Sequence, residues 1–176
     1  FHRMRVTNAL QALIIFVLAL TGATAASAQD VTVIGTHGVW TAYSYQEDSG
    51  IVCYMASEPT KAEGNYTRRG DVFALVTHRP SEESLDVVSV VAGYAYKENS
   101  DVSLQIGSAN YDMFTHGERA WNRDEETDKK MVQAMVRGSK LTVKGTSGRG
   151  TLTTDTYSLS GFTAAHKDIT TACSAG

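Results

Sequence analysis

The sequence predicts a mainly β protein, and three observations carry that expectation. Short runs of β-branched and aromatic residues recur from Gly38 onward. Glycines and turn-prone residues punctuate them. Only two later segments switch to the spacing of a helix.

Taken in order, GVWTAYSYQ at 38–46 is aromatic and β-branched and ends at the turn-prone EDSG of 47–50. IVCYMAS at 51–57 follows at hairpin distance. The polar, glycine-containing stretch 59–70 is expected to be a loop. DVFALVTH at 71–78 returns to strand, and Pro80 stops it. LDVVSVVAGY at 85–94 sets valines on both sides of Ser89, as in a central strand covered on two faces. DVSLQIG alternates most clearly, with Val102, Leu104 and Ile106 opposite Ser103 and Gln105. After a turn at Gly107-Ser108, Ala109, Tyr111 and Met113 share one face.

In NRDEETDKKMVQAMVRGS the period changes. Met131, Val132, Met135 and Val136 form one helical stripe. Asn122 or Asp124 caps its start, acids fill the first turn, Arg137 closes the last, and Gly138 supplies the stop. The charge run 123–130 is expected to be a solvated face, and the methionines core filler. KLTVKG at 140–145 and TLTTDTYSL at 151–159 are strands again. FTAAHKDITTAC then places Phe162, Ala165, Ile169 and Cys173 at helical spacing, a short C-terminal helix or clasp.

Residues 1–28 carry a different signal. FHRMR is basic, LQALIIFVLALTGATA is apolar, and Ala26-Ser27-Ala28 has the small-residue pattern of a cleavage site. Together they predict a secretory signal peptide at 1–28, with one domain over 29–176. The apolar run is short for a membrane span, and no later segment resembles one. Taking Arg3 and Arg5 from the 16 basic residues leaves 14 against 19 acidic ones, a net charge of −5. That sign argues against nucleic acid as a partner. In an exported chain the two cysteines, Cys53 and Cys173, are expected to pair. They lack the CxxC spacing of a metal or redox site. Closing so long a loop is worth roughly 4–5 kcal/mol on the chain-entropy account.

Chemistry is harder to find. In KGTSGRGTLTTDTYSL, Gly145 and Gly150 have the separation of a phosphate loop. Thr151 and Leu152 stand where lysine and a hydroxyl residue are required. The nucleophile-elbow pattern around Ser147 fails because Arg149 replaces its last glycine, and a strand follows instead of a helix. The stretch is expected to be a hairpin bend, with Ser147-Gly148-Arg149-Gly150 at its tip. No catalytic residue, cofactor or metal site is assigned, and a hydrolase built on Ser147 is the weakest reading. His37, His78, His116 and His166 are scattered through the chain. His78 and Arg79 at a strand end, and Trp121 beside a charged segment, are the candidates for surface contact. A second reading is a periplasmic small-ligand or metal-binding module. It gathers His78, Arg79 and either Asp155 or His116 into one pocket.

Several segments, in order, resemble the invasion-associated locus B family of bacterial exported proteins. These are GVWTAYSYQ with the Cys53-Tyr54 strand, GDVFALVTHRP, VSVVAGYAYKENSDVSLQIG, FTHGERAW, KLTVKGTSGRGTLTTDTYSLSGFTAA and the terminal Cys173. The resemblance implies an immunoglobulin-like β-sandwich, with one inserted helix and a C-terminal helix or clasp. It implies a periplasmic, outer-membrane-associated or secreted protein with a host-invasion or envelope role, and it supplies no catalytic residues. The expectation is a non-enzymatic protein that acts by surface contact. Its partner is then an unidentified protein or envelope component, the host-cell surface included, and no transmembrane segment remains once the leader is removed.

Overall fold

The computed structural model describes residues 29–174; the expected leader lies outside them. Eleven strands form in sequence order: β1 (Thr32–His37), β2 (Trp40–Glu47), β3 (Gly50–Ser57), β4 (Lys61–Gly64), β5 (Phe73–Arg79), β6 (Ser84–Val91), β7 (Asp101–Ile106), β8 (Ala109–His116), β9 (Arg119–Trp121), β10 (Lys140–Thr146) and β11 (Leu152–Ser158). Helix α1 (Glu125–Arg137) joins β9 to β10, and helix α2 (Phe162–Ser174) follows β11.

All pairings are antiparallel, in the order β1-β2-β3-β5-β6-β9-β8-β7-β10-β11-β4. Chain connectivity dictates the shape of this ladder. Strands β3 and β4 stand eight places apart in it, about 38 Å if the sheet were flat. Only residues 58–60 connect them, a reach of about 14 Å. The sheet must therefore curl until its ends nearly meet. The expected immunoglobulin-like pair of sheets is thus realised as one continuous ladder folded over a shared core, a sandwich in its packing. Crosslinks confirm the closure: Trp40 Nε1 on β2 donates to the Ser158 carbonyl of β11 at 3.0 Å, and Thr60 N to that of Thr156 at 2.8 Å.

Side chains from both halves meet in one cluster that includes Trp40, Met55, Val76, Leu104, Met113, Leu141 and Tyr157, all fully buried. Met131 and Met135 of α1 join it, as do Phe162, Ala165 and Ile169 of α2. Helix α1 packs on β6, whereas α2 lies across β1, β2, β3 and β5. Asp124 caps α1 by accepting from Thr127 N at 2.7 Å.

Four expectations need correction. The stretch 59–70 contains β4, whose Lys-Ala-Glu-Gly sequence has little strand propensity and is ordered by pairing with β11. Strands β1 and β9 also form, the latter too short to show a period. Gly138 ends α1 in extended rather than left-handed geometry. A Cβ there would lie 2.9 Å from Ile106 Cγ2, so close packing selects the glycine. Asp128, in the charge run read as solvated, is buried.

Cys53 on β3 is bonded to Cys173 on α2 across 120 positions, with Cα atoms 6.0 Å apart. Among the described residues no helix is long and apolar enough to cross a membrane. Removing the link as Cys53→Ala/Cys173→Ala is expected to cost about 2–5 kcal/mol in denaturant unfolding. An unchanged midpoint would show that the bond contributes nothing.

Candidate functional site

Three places hold side chains capable of chemistry or recognition. The first lies under α2. Strand β6 opposes His78 with two residues, since Thr77 pairs with Val87 and Arg79 with Ser84. This bulge turns Asp86 into the left-handed region, φ 58°, and aims its backbone N–H at His78 Nδ1, 2.9 Å away. His78 Nε2 lies 3.1 Å from Thr170 Oγ1, while His166 Nε2 donates to Asp86 Oδ1 at 2.7 Å. The ligand atoms of His78, Asp86 and His166 lie within 4.8 Å of one another, a spacing open to a metal ion.

The hydrogen bonds decide against that use. Because Nδ1 of His78 accepts from a backbone N–H, the proton of the neutral ring sits on Nε2, the atom a metal would need. Ligating histidines normally show the reverse, with the distal nitrogen donating. The same proton prevents Nε2 from acting as a base toward Thr170. Burial pushes the His78 pKa down against the pull of Asp86, so the ring stays neutral. The bond from His166 is the main reason the Asp86 carboxyl stays below its usual range, outweighing burial. The cluster is a set of fasteners between the β6 bulge and α2.

The residues that the small-ligand or metal reading gathered into one pocket separate in the fold. His78 is 3% exposed and faces α2, a correction to its candidacy for surface contact. Arg79, one residue on, points to the other face, where Nη2 meets Tyr45 Oη at 3.2 Å and Glu47 Oε1 at 3.5 Å. Asp155 is buried and held by Arg69 in a bidentate pair at 2.7 and 2.6 Å. Burial opposes the Arg69 charge, but its bonds to Asp155 outweigh this and raise its pKa. His116 lies in a separate groove. Sequence reasoning missed Asp86 and His166, because only the bulge and the docking of α2 bring them to His78.

That separate groove is the second place, of about 650 Å³, between β6, β8, β9 and the start of α1. Phe114 and Trp121 are cross-strand partners and their rings stack, with centroids 5.8 Å apart. Arg123 lies over Phe114 at 5.8 Å and Arg119 over Trp121 at 6.0 Å. Leu85, 43% exposed, and Val87 extend this apolar shelf. Asn122 lines the groove and is buried. Its Nδ2 donates to Asp128 Oδ1 at 2.8 Å, while its Oδ1 has no hydrogen-bond partner among the described residues. Burial raises the Asp128 pKa despite the bonds from Asn122 and Val88 N. Trp121, a candidate from sequence, is therefore at the shelf. Sequence reasoning did not single out Phe114, although the alternation that buries Met113 turns its neighbour outward.

The third place is the bend. Strands β10 and β11 form the expected hairpin, and Gly150 takes φ 85° at its tip. Ser147 Oγ accepts from Thr151 N at 3.1 Å as part of the turn. Among the described residues no histidine or carboxylate lines the groove of about 520 Å³ beside it, so Ser147 has no base there. Gly145 makes room for aromatics: a Cβ would fall 2.7 Å from Tyr96 Cε1.

The neutral, buried state of His78 has a pH consequence. The unfolded chain takes up its proton near pH 6.5, the folded chain only at lower pH, so stability falls as pH drops below 6.5. Asp86 adds a loss in the same direction, but below about pH 4. His78→Gln is expected to lower Tm at neutral pH and to flatten its fall between about pH 7 and 5. An equal slope in both proteins would contradict the assignment.

A family model described as Invasion associated locus B (IalB) protein matches residues 40–170, from the start of β2 into α2. A solved structure described as "Crystal structure of invasion associated protein b from bartonella henselae" matches with a TM-score of 0.59 at 19% identity. The match covers 82% of this chain and 99% of that one, and it shows a shared fold. No curated protein matches the sequence. With close to three quarters of its length matched, the chain belongs to the invasion associated locus B family.

Proposed function

We propose that the protein is an exported, non-enzymatic binding module of the bacterial envelope or secreted fraction, acting on a protein partner through the Phe114–Trp121 shelf. The observation that carries this reading is the shelf itself: stacked aromatics flanked by two guanidinium groups, continuous with exposed Leu85. Aromatic and arginine side chains supply most of the binding energy at protein interfaces. The groups best suited to catalysis are engaged elsewhere, His78 by its backbone bond and Ser147 by its turn. The family and the solved Bartonella relative both carry the words "invasion associated" in their names. For this chain we take those words to place the partner at the host-cell surface or in the envelope.

The test is crosslinked capture of the exported protein on host-cell membranes and on envelope fractions. Phe114→Ala/Trp121→Ala is expected to weaken capture by about tenfold or more with an unchanged far-UV spectrum. Equal capture by this variant would remove the shelf from the account. The small-ligand or metal reading rests on the proximity of His78, Asp86 and His166. On the hydrogen-bond assignment, excess Zn²⁺ is expected to leave Tm where it was, and a rise lost in His166→Ala would favour that reading instead.

A further inference from the structure

The groove beside the 147–151 bend has features that the proposed protein-binding role does not use, and it shares no lining residue with the Phe114–Trp121 shelf. One wall is the loop after β4, with Asn65, Tyr66, Thr67 and Arg68; the other is the bend, with Ser147, Gly148 and Arg149. Tyr94 and Thr153 form its floor.

The charge of this groove runs against that of the molecule. Residues 29–176 are acidic, yet among the described residues no carboxylate lines it, whereas two arginines, Arg68 and Arg149, do. Neither Arg68 nor Arg149 makes an ion pair or side-chain hydrogen bond among the described residues. The nearby carboxylate, Asp155, is already neutralised by Arg69 behind the floor.

The walls are built on fixed supports. The Arg69 guanidinium lies 5.4 Å from the Tyr66 ring and 5.0 Å from the Tyr94 ring, and its Nε donates to the Ala92 carbonyl at 2.7 Å. Tyr94 Oη and Thr153 Oγ1 are 2.7 Å apart. Gly70 N donates to the Gly93 carbonyl at 2.8 Å, and Gly93 takes φ 70° where a Cβ would lie 2.4 Å from Gly70 O, so the two backbones touch. Gly148 N donates to the Ala95 carbonyl at 2.9 Å and ties the bend to the same segment. Tyrosines, hydroxyl and amide groups and two exposed guanidinium groups thus line one concave surface on a braced backbone.

We propose that this groove binds an anionic saccharide, a pyranose chain carrying carboxylate or sulfate groups, with Tyr66 packing on a sugar face and Arg68 and Arg149 pairing with the acidic groups. Aromatic rings complement the apolar face of a pyranose, and guanidinium groups form paired, charge-assisted bonds to carboxylate and sulfate. The hydroxyls of Thr67 and Thr151 and the amide of Asn65 match sugar hydroxyls. An acidic peptide would satisfy the arginines but leave the aromatic and hydroxyl surface unused.

The experiment measures binding to the exported protein of four probes. These are a hyaluronan hexasaccharide, a heparin hexasaccharide, a bacterial glycan strand with muramyl carboxylates, and a neutral chitin hexasaccharide. A polyglutamate peptide serves as the non-sugar anion. At least one acidic glycan is expected to bind and the chitin fragment and peptide to bind far more weakly. The arm that binds tells a host source from an envelope source. Arg68→Gln and Arg149→Gln should each lower affinity about tenfold, and Tyr66→Ala a comparable amount. The two arginines are exposed, so an unchanged Tm separates lost binding from lost folding. Polyglutamate binding as tightly as the glycans, no acidic glycan binding, or full affinity in the Arg68→Gln/Arg149→Gln protein would each overturn the assignment. Capture through the Phe114–Trp121 shelf is read out separately, so either proposal can fail alone.

Discussion

Helix α2 and its attachment to the sheet are what the rest of the molecule depends on. Its apolar stripe puts Phe162 edge-on against Trp40, ring centroids 5.1 Å apart, and buries Ala165 and Ile169 in the same core. Polar fasteners line both sides of that stripe: Asp168 to His37 at 2.6 Å, His166 to Asp86, and Thr170 to His78. The covalent link from Cys173 to Cys53 closes the end of the helix. Without this cover the inner faces of β2, β3 and β5 would be open to water, and a curled ladder with a three-residue link between β3 and β4 would lose the core it wraps.

That arrangement gives the residues with catalytic potential structural partners. Three of the four histidines outside the leader, His37, His78 and His166, hold α2 in place. Asp155 and Arg69 neutralise one another out of solvent, and Ser147 closes a turn. Breaking such a buried pair by removing one member leaves a lone charge, typically a loss of about 3–5 kcal/mol. On the exterior, an aromatic shelf and a cationic groove occupy separate regions.

Much of the fold was legible because its signals are local. The alternation of β7, the four-residue stripe of α2, the cysteine pair and Met131, Val132 and Met135 of the α1 stripe survive in the structure, whereas Val136 is exposed. Strand β4 was not legible, since Lys61, Ala62, Glu63 and Gly64 become a strand only by pairing with β11, some ninety positions later. Asp128 sits among solvated acids in sequence, yet the fold buries it as acceptor of the Val88 N–H of β6 and of Asn122 Nδ2. The candidate sites divide in the same way. Trp121 was visible as an aromatic amid charges, whereas Phe114 was not singled out, although strand alternation turns it outward. The union of His78, Asp86 and His166 depends on the bulge and on where α2 docks, neither of which leaves a spacing signature.

The histidine cluster is a lock that holds α2 on the sheet. Long-range ¹H–¹⁵N NMR of the imidazoles tests it most directly. The expected result is a neutral His78 ring with its proton on Nε2, bare at Nδ1, and indifferent to added Zn²⁺. A proton on Nδ1, or an Nε2 resonance that moves when Zn²⁺ is added to the folded protein, would contradict it.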